Sequence, residues 1–124
     1  MLSVGDLSQR SLLIRYGLPA DVSAANLKKA GAVGDIIGQF LDAEGRPIRH
    51  PLNQRVLAPG VTELSRIPTV VVASGGANKT AIIAAVLRAR LASVLICDQN
   101  TAGAALRVLG RGETSITKRT RSRG

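Results

Sequence analysis

The residues best suited to chemistry lie between Val70 and Leu87, in the run VVVASGGANKTAIIAAVL. An apolar strand-like segment ends in Ser74-Gly75-Gly76, and a helix-forming segment starts two or three residues later. Free backbone N–H groups at such a helix start point into the space beyond the strand's carboxyl end. Two adjacent glycines let an oxyanion approach the main chain with no Cβ in the way, and Lys79 adds a full positive charge in the first turn. Gly75, Gly76, Ala77, Asn78 and Lys79 therefore form a candidate phosphate cradle. The loop is not a Walker A motif, because the position before Lys79-Thr80 would have to be glycine and is Asn78. Nor is it a dinucleotide fingerprint, since no glycine follows at the required interval. A tight strand-to-helix turn with a solvated lysine would use the same residues, and both readings stand at this level.

Carboxylates are the second resource. Asp35 precedes the apolar run IIGQFL and is either a turn residue at a strand start or an acceptor for ligand hydroxyls; beside a bound phosphate it would favour polyols. Asp98 follows a second apolar run and is either the cap of the next helix or a hydroxyl contact. Asn53 and Arg55 flank an expected strand and could face the same cleft, while Arg46, Arg49, Arg55 and Arg66 all suit the surface as well. His50 stands between an arginine and a proline without a recognisable acid–base partner and is expected to be solvated. Cys97, at the end of an apolar strand, is expected to be an inert small hydrophobe. No nucleophile–base pair emerges, so catalytic residues are expected to be none.

Regular elements must hold these groups in place. LSVGDL reads as a strand running into a loop. Residues 21–30 read as a helix, with Asp21 as cap, Lys28-Lys29 at the negative end and Gly31 as the left-handed stop. Ile36 to Leu41 reads as one strand, closed by the turn Asp42-Ala-Glu-Gly45 and followed by a second extended piece from Pro47 to Leu52, a hairpin-like excursion. Val61 to Ile67 reads as a short helix capped by Thr62. Thr69 to Ser74 and Ser93 to Cys97 read as buried apolar strands, with helices over 77–91 and 101–109. Two buried strands alternating with helices predict an α/β fold built on a parallel sheet covered on both faces.

Composition narrows the function. The chain has 124 residues, enough for one domain. One cysteine and one histidine exclude a disulfide scaffold and a typical zinc site, so neither metal nor cofactor is expected. The only rings besides His50 are Tyr16 and Phe40, too few to bind single-stranded nucleic acid by stacking. No apolar run reaches spanning length and MLSVGDLSQR lacks the pattern of a signal peptide, so a cytoplasmic protein is expected. The net charge of +9 is uneven, with five basic residues and one acid in 111–124. That segment reads as a disordered basic tail, able to contact duplex DNA nonspecifically with a salt slope of roughly −4.

The runs GAVGDIIGQFLDAEGRPI (31–48), LNQRV (52–56) and ELSRIPTVVVASGGANKTAIIAAVLRARLASVLICDQNTAGAAL (63–106) resemble the C-terminal part of the sugar-binding domain of SorC/DeoR-type bacterial transcriptional regulators. Phe40, Asp42 and Gly45 and the Gly-Gly-x-x-Lys loop are its most specific parts. Gln39 stands where these regulators commonly have a basic residue, and Val4-Gly5-Asp6 follows their strand end only roughly. The resemblance implies a fold like that of ribose-5-phosphate and glucosamine-6-phosphate isomerases, used to sense a phosphorylated sugar. It also implies a phosphate contact at Gly75, Gly76 and Lys79 and an acidic pocket position at Asp35. On this reading residues 1–109 are a partial sugar-binding domain and 110–124 the tail. The DNA-binding helices and the first half of the domain are absent, leaving no specific DNA contact by this chain and an exposed sheet edge; intact relatives are expected to be homo-oligomers. A sugar-phosphate isomerase-like enzyme on the same scaffold is the alternative, with Asp35 or Asp98 as general base.

Overall fold

The computed structural model describes residues 1–8, 11, 14, 18, 22–55 and 60–110. Strand β1 (Val4–Gly5) pairs antiparallel with β2 (Gly34–Ile36), which pairs antiparallel with β3 (Gln39–Leu41). Strands β4 (Val71–Ala73) and β5 (Val94–Ile96) form a parallel pair, with Val72 opposite Leu95. Leu2 joins the two sheets through a parallel bridge to Val72: its N–H donates to the Val71 carbonyl at 2.7 Å, and its carbonyl accepts from the Ala73 N–H at 2.8 Å. The first five residues thus belong to both sheets.

Five helices accompany these strands among the described residues: α1 (Ala24–Lys29), α2 (Pro51–Arg55), α3 (Val61–Ser65), α4 (Thr80–Arg88) and α5 (Gln99–Gly110). The apolar stripe of α4 does what its spacing predicts. Ile82, Ile83 and Val86 are buried with Val4, Ile36, Val72 and Leu91 in one core, and α4 also packs along α5. Leu7, Val22, Leu27, Ala32, Phe40, Ile48 and Leu52 form a second core under α1. At about 1.5–3 kcal/mol for each large apolar side chain, these two clusters are the main favourable term in folding.

Several expectations are corrected. The strands form one antiparallel and one parallel sheet rather than a single parallel one, because the hairpin-like excursion pairs with β1. The expected strand from Ile36 to Leu41 is broken by a two-residue turn at Ile37 (φ 47°) and Gly38 (φ 83°), the left-handed pair that a tight hairpin requires. The second extended piece is only a bridge from Pro47 to Leu41, after which the chain enters α2. Helix α1 is capped by Ser23, whose hydroxyl accepts from the Asn26 N–H at 3.1 Å; Asp21 lies outside the described residues. Gly60, not Thr62, is the cap of α3. The segment 77–91 begins as a 3-10 turn, Ala77–Lys79, before α4, and α5 starts two residues earlier than its pattern suggests. Strand β5 is not buried: Val94 is 45% and Ile96 47% exposed, so the sheet is uncovered on that face. Cys97 lies just beyond β5 and is half-buried, and burial pushes its thiol up. The basic tail, from 111 onward, falls outside the described residues.

His50 and Asn53 have structural partners instead of a solvated or cleft-facing position. The His50 Nδ1 accepts from the Leu52 N–H at 3.0 Å, so Nε2 carries the proton that it shares with the Asn26 side-chain oxygen. Asn53 ties α2 to β3. Its Oδ1 accepts from the Phe40 N–H at 2.7 Å, and its Nδ2 donates to the carbonyls of Phe40 and Ile48, both at 3.0 Å. Gln39, the departure from the basic residue common in SorC/DeoR-type regulators, donates to the Asn53 main-chain oxygen at 3.0 Å. Replacing Asn53 by Ala leaves the Phe40 N–H and the Ile48 carbonyl without their partner, while the Phe40 carbonyl keeps the Ile48 N–H at 3.1 Å, and is expected to cost about 2–3 kcal/mol in urea unfolding. Asn53→Asp, which restores only the acceptor, should be no more stable than the alanine variant.

Candidate functional site

The candidate loop follows β4. The Ser74 N–H still donates to the Ile96 carbonyl at 3.0 Å, continuing the parallel ladder, and the chain then departs at Gly75 and Gly76. Gly76 takes φ 107°, a conformation open to glycine and strained for other residues. Its N–H turns toward β5, donating to Asp98 Oδ1 at 3.2 Å and Thr101 Oγ1 at 3.0 Å. A side chain at Gly75 would come within 2.7 Å of the same Asp98 oxygen. Asp98 also caps α5, accepting from the Thr101 N–H at 3.0 Å and from the Thr101 hydroxyl at 2.6 Å. These hydrogen bonds hold its exposed carboxyl below the usual carboxylate value.

Among the five cradle residues, Gly76 is therefore occupied by the protein's own carboxylate. The N–H groups of Ala77 and Asn78 have no intrahelical acceptor by their place in the first turn, and Gly75, Ala77 and Asn78 are exposed. Lys79 bends back, its Nζ donating to the Ser74 hydroxyl at 3.2 Å. That hydroxyl in turn reaches the Val4 carbonyl at 3.4 Å, so the lysine is held over the end of β1.

Asp35 enters from β2. It lies opposite Gly5 in the β1–β2 register, and a side chain at Gly5 would collide with its Oδ1. Oδ2 accepts from the Gly38 N–H at 3.0 Å, closing the hairpin turn. Asp35 is 8% exposed. Burial pushes it above the ordinary value of 3.8, and the nearby Asp6 charge adds to that; the Gly38 N–H and the Lys79 ammonium oppose it without prevailing. The turn reading and the pocket reading of Asp35 are thus compatible, because one oxygen closes the turn while the group lies within the field of Lys79.

Sequence reasoning passed over Asp6. It is 5% exposed, and its Oδ2 accepts from the Ser8 N–H at 3.2 Å. Burial raises this carboxyl too, but donors from Ser8 and Asn78 outweigh it and hold the group low. The signal was its place directly after a strand end, the same position that marked Ser74 and Asp98. All three strand ends open on one side, the carboxyl edge where α/β sheets receive ligands. Asp35, Lys79 and Asn78 meet there with Asp6, while Asn53 does not join them. Among the described residues no group of three or more His, Cys, Asp or Glu side chains is placed to hold a metal ion, and no helix is long and apolar enough to cross a membrane. Two carboxylates, one ammonium and several free N–H groups suit a ligand that carries both an anion and hydroxyls.

Comparison with known proteins bears on that ligand. Residues 1–107 match the family Sugar-bind, described as "Putative sugar-binding domain". The chain is 32% identical over 113 residues to the transcriptional regulator LsrR of Enterobacter sp. (strain 638), covering 89% of this chain and 35% of that protein. It is 35% identical over 104 residues to the deoxyribonucleoside regulator of Bacillus subtilis (strain 168), covering 84% and 33%. Among solved structures, a transcriptional regulator from Streptococcus pneumoniae TIGR4 gives a TM-score of 0.78 at 29% identity, covering 88% of this chain and 42% of that one. The full-length sorbitol operon regulator SorC from Klebsiella pneumoniae shares the fold at TM-score 0.72 and 19% identity, covering 85% and 34%. The chain spans about a third of the length of the curated relatives it matches.

The raised Asp35 carboxyl gives the site a pH signature. A group protonated more readily in the folded chain destabilises the fold as pH rises from 3.8 through its folded value, and the loss is complete above that. Asp35→Asn, which keeps an acceptor for Gly38, is expected to melt above the native chain at pH 7, with the gap closing as pH falls below 3.8. Thermal melts across that range check it; a gap independent of pH would contradict the assignment.

Proposed function

The chain belongs to the Sugar-bind family, and from that premise we propose that it is a non-enzymatic sugar-phosphate-binding unit, part of the effector domain of a SorC/DeoR-type bacterial transcriptional regulator. The observation that carries this reading is the Ser74–Lys79 loop at the carboxyl end of β4, with its ammonium beside Asp35. Phosphate lies on the free N–H groups of Gly75, Ala77 and Asn78 with Lys79 as counter-charge. Gly76 shapes the loop and leaves its own N–H with Asp98 and Thr101. Asp35 reads sugar hydroxyls through the oxygen not engaged by Gly38.

On this reading the two sheets are part of a scaffold like that of ribose-5-phosphate and glucosamine-6-phosphate isomerases, used in the cytoplasm for sensing. In a full-length regulator of this kind the ligand acts by binding one of two states of a homo-oligomer better than the other, and a separate DNA-binding module registers the shift. The site has donors and acceptors for recognition, and Asp98 is tied up as a helix cap.

A thermal-shift screen tests the proposal with ribose 5-phosphate, fructose 6-phosphate and glucosamine 6-phosphate against the unphosphorylated sugars. A phosphorylated ligand at 100 times its dissociation constant should stabilise the chain by about 2.7 kcal/mol, a clear rise in melting temperature. Lys79→Gln should abolish that rise while leaving the melt of the free protein little changed. Turnover of any of these sugar phosphates that Asp35→Asn removes would replace this reading with the isomerase alternative.

A further inference from the structure

Parallel strands in α/β proteins are covered by helices on both faces, because each crossover helix must return over one face or the other. The β4–β5 pair has only half of that cover among the described residues. Val72 lies opposite Leu95, and both belong to the covered side: Val72 is fully buried in the core with Ile82, Ile83 and Val86 of α4, and Leu95 packs against the same cluster. The opposite side carries Val71 facing Val94 and Ala73 facing Ile96, four side chains that alternation along the strands places together. Val71 and Ala73 are half-buried, while Val94 and Ile96 are close to half exposed. A sheet face meant for water would show polar residues at these positions. All four are apolar, as on the covered side.

We propose that this face is a docking surface for the part of a sugar-binding domain that lies outside these 124 residues, which lays the apolar stripe of a helix across Val71, Ala73, Val94 and Ile96. Length supports that occupant. A solved "Putative sugar-binding domain of transcriptional regulator DeoR" from Pseudomonas syringae pv. tomato shares the fold at TM-score 0.60 and 28% identity, yet 84% of this chain matches only 36% of that one. Well over half of such a domain thus lies beyond the matched part and can supply a second helical layer. Size and charge disfavour a second copy of this chain. Four side chains of this kind present far less than the roughly 800 Å² per partner that a stable association of separate molecules buries. Each copy would also bring a net charge of +9 to the contact. A layer joined by the chain itself loses no translational freedom on docking, so a small face is enough to hold it. The proposal rests on membership of the Sugar-bind family and not on the phosphate loop, so either can fail without the other.

The test compares one substitution in two settings. Residues 1–107 are grafted in place of the matching third of the Bacillus subtilis deoxyribonucleoside regulator. Ile96→Asp is then made both in that chimera and in the native chain. Ile67→Asp is the control, since Ile67 is equally exposed at 47% but lies outside the sheet, after α3. In the chimera Ile96→Asp should lower the melting temperature by about 5 °C or more, because a carboxylate is forced under the docked layer without a partner. In the native chain it should shift the melt by no more than about 2 °C, as should Ile67→Asp in either setting. Equal shifts for Ile96→Asp in the two settings overturn the proposal, and so does an equal loss from Ile67→Asp in the chimera. A chimera without a cooperative melt shows that the two parts do not join across this face and overturns it too. Sedimentation of the native chain as a dimer that Ile96→Asp splits would give the face to a second copy instead.

Discussion

The site exists because one short segment pairs with two sheets. Leu2 hydrogen-bonds along β4 in parallel, and two residues later Val4 and Gly5 hydrogen-bond along β2 in antiparallel sense. The change of partner brings the carboxyl end of β1 beside that of β4 and lays β2 across them. Asp6, Asp35 and the Ser74–Lys79 loop, separated by up to 73 residues of chain, become neighbours as a result. Gly5 is part of the same constraint, since only a residue without a side chain leaves room there for the Asp35 carboxylate. The large side chains of α4 then cover the junction, with Ile82 against Gly34 and Val4 in the same core.

The charge arrangement follows from that geometry. Asp6 and Asp35 are both nearly buried, yet they titrate in opposite directions. Donors surround the first strongly enough to overcome burial, and the second has one N–H and a shared ammonium, which are not enough. Divergent carboxyl environments can mark an acid–base pair in an enzyme. Here each acid has one oxygen fixed by a main-chain N–H, Ser8 for one and Gly38 for the other.

Much of this was legible in the sequence wherever the determinants were local. The Ser-Gly-Gly break, the stripe on α4, the stop at Gly31 and the helix cap at Asp98 are each set within a few residues, and each is found in the structure. What escaped depends on distant partners. The burial of Asp6 requires β1 to reach β4. Asn53 became a bridge because Phe40 presents a main-chain edge 13 residues away. The turn at Ile37-Gly38 was hidden in an apolar run that reads equally well as one strand, and Asp35 closes that turn through its side chain. Strand β5 was misjudged for a related reason: an apolar run reveals a strand's preference for dry surroundings but not whether anything covers it, and Val94 and Ile96 have no cover here.

The Asp98 carboxylate on the Gly76 N–H has one more consequence. A glycine-rich loop usually samples many shapes when empty and settles only as its guest arrives, an entropic toll subtracted from affinity. This loop already holds a resident anion at one donor, with Thr101 buttressing it from the neighbouring helix. Its shape is therefore set in advance, which on the proposed reading spares a bound molecule the cost of ordering it.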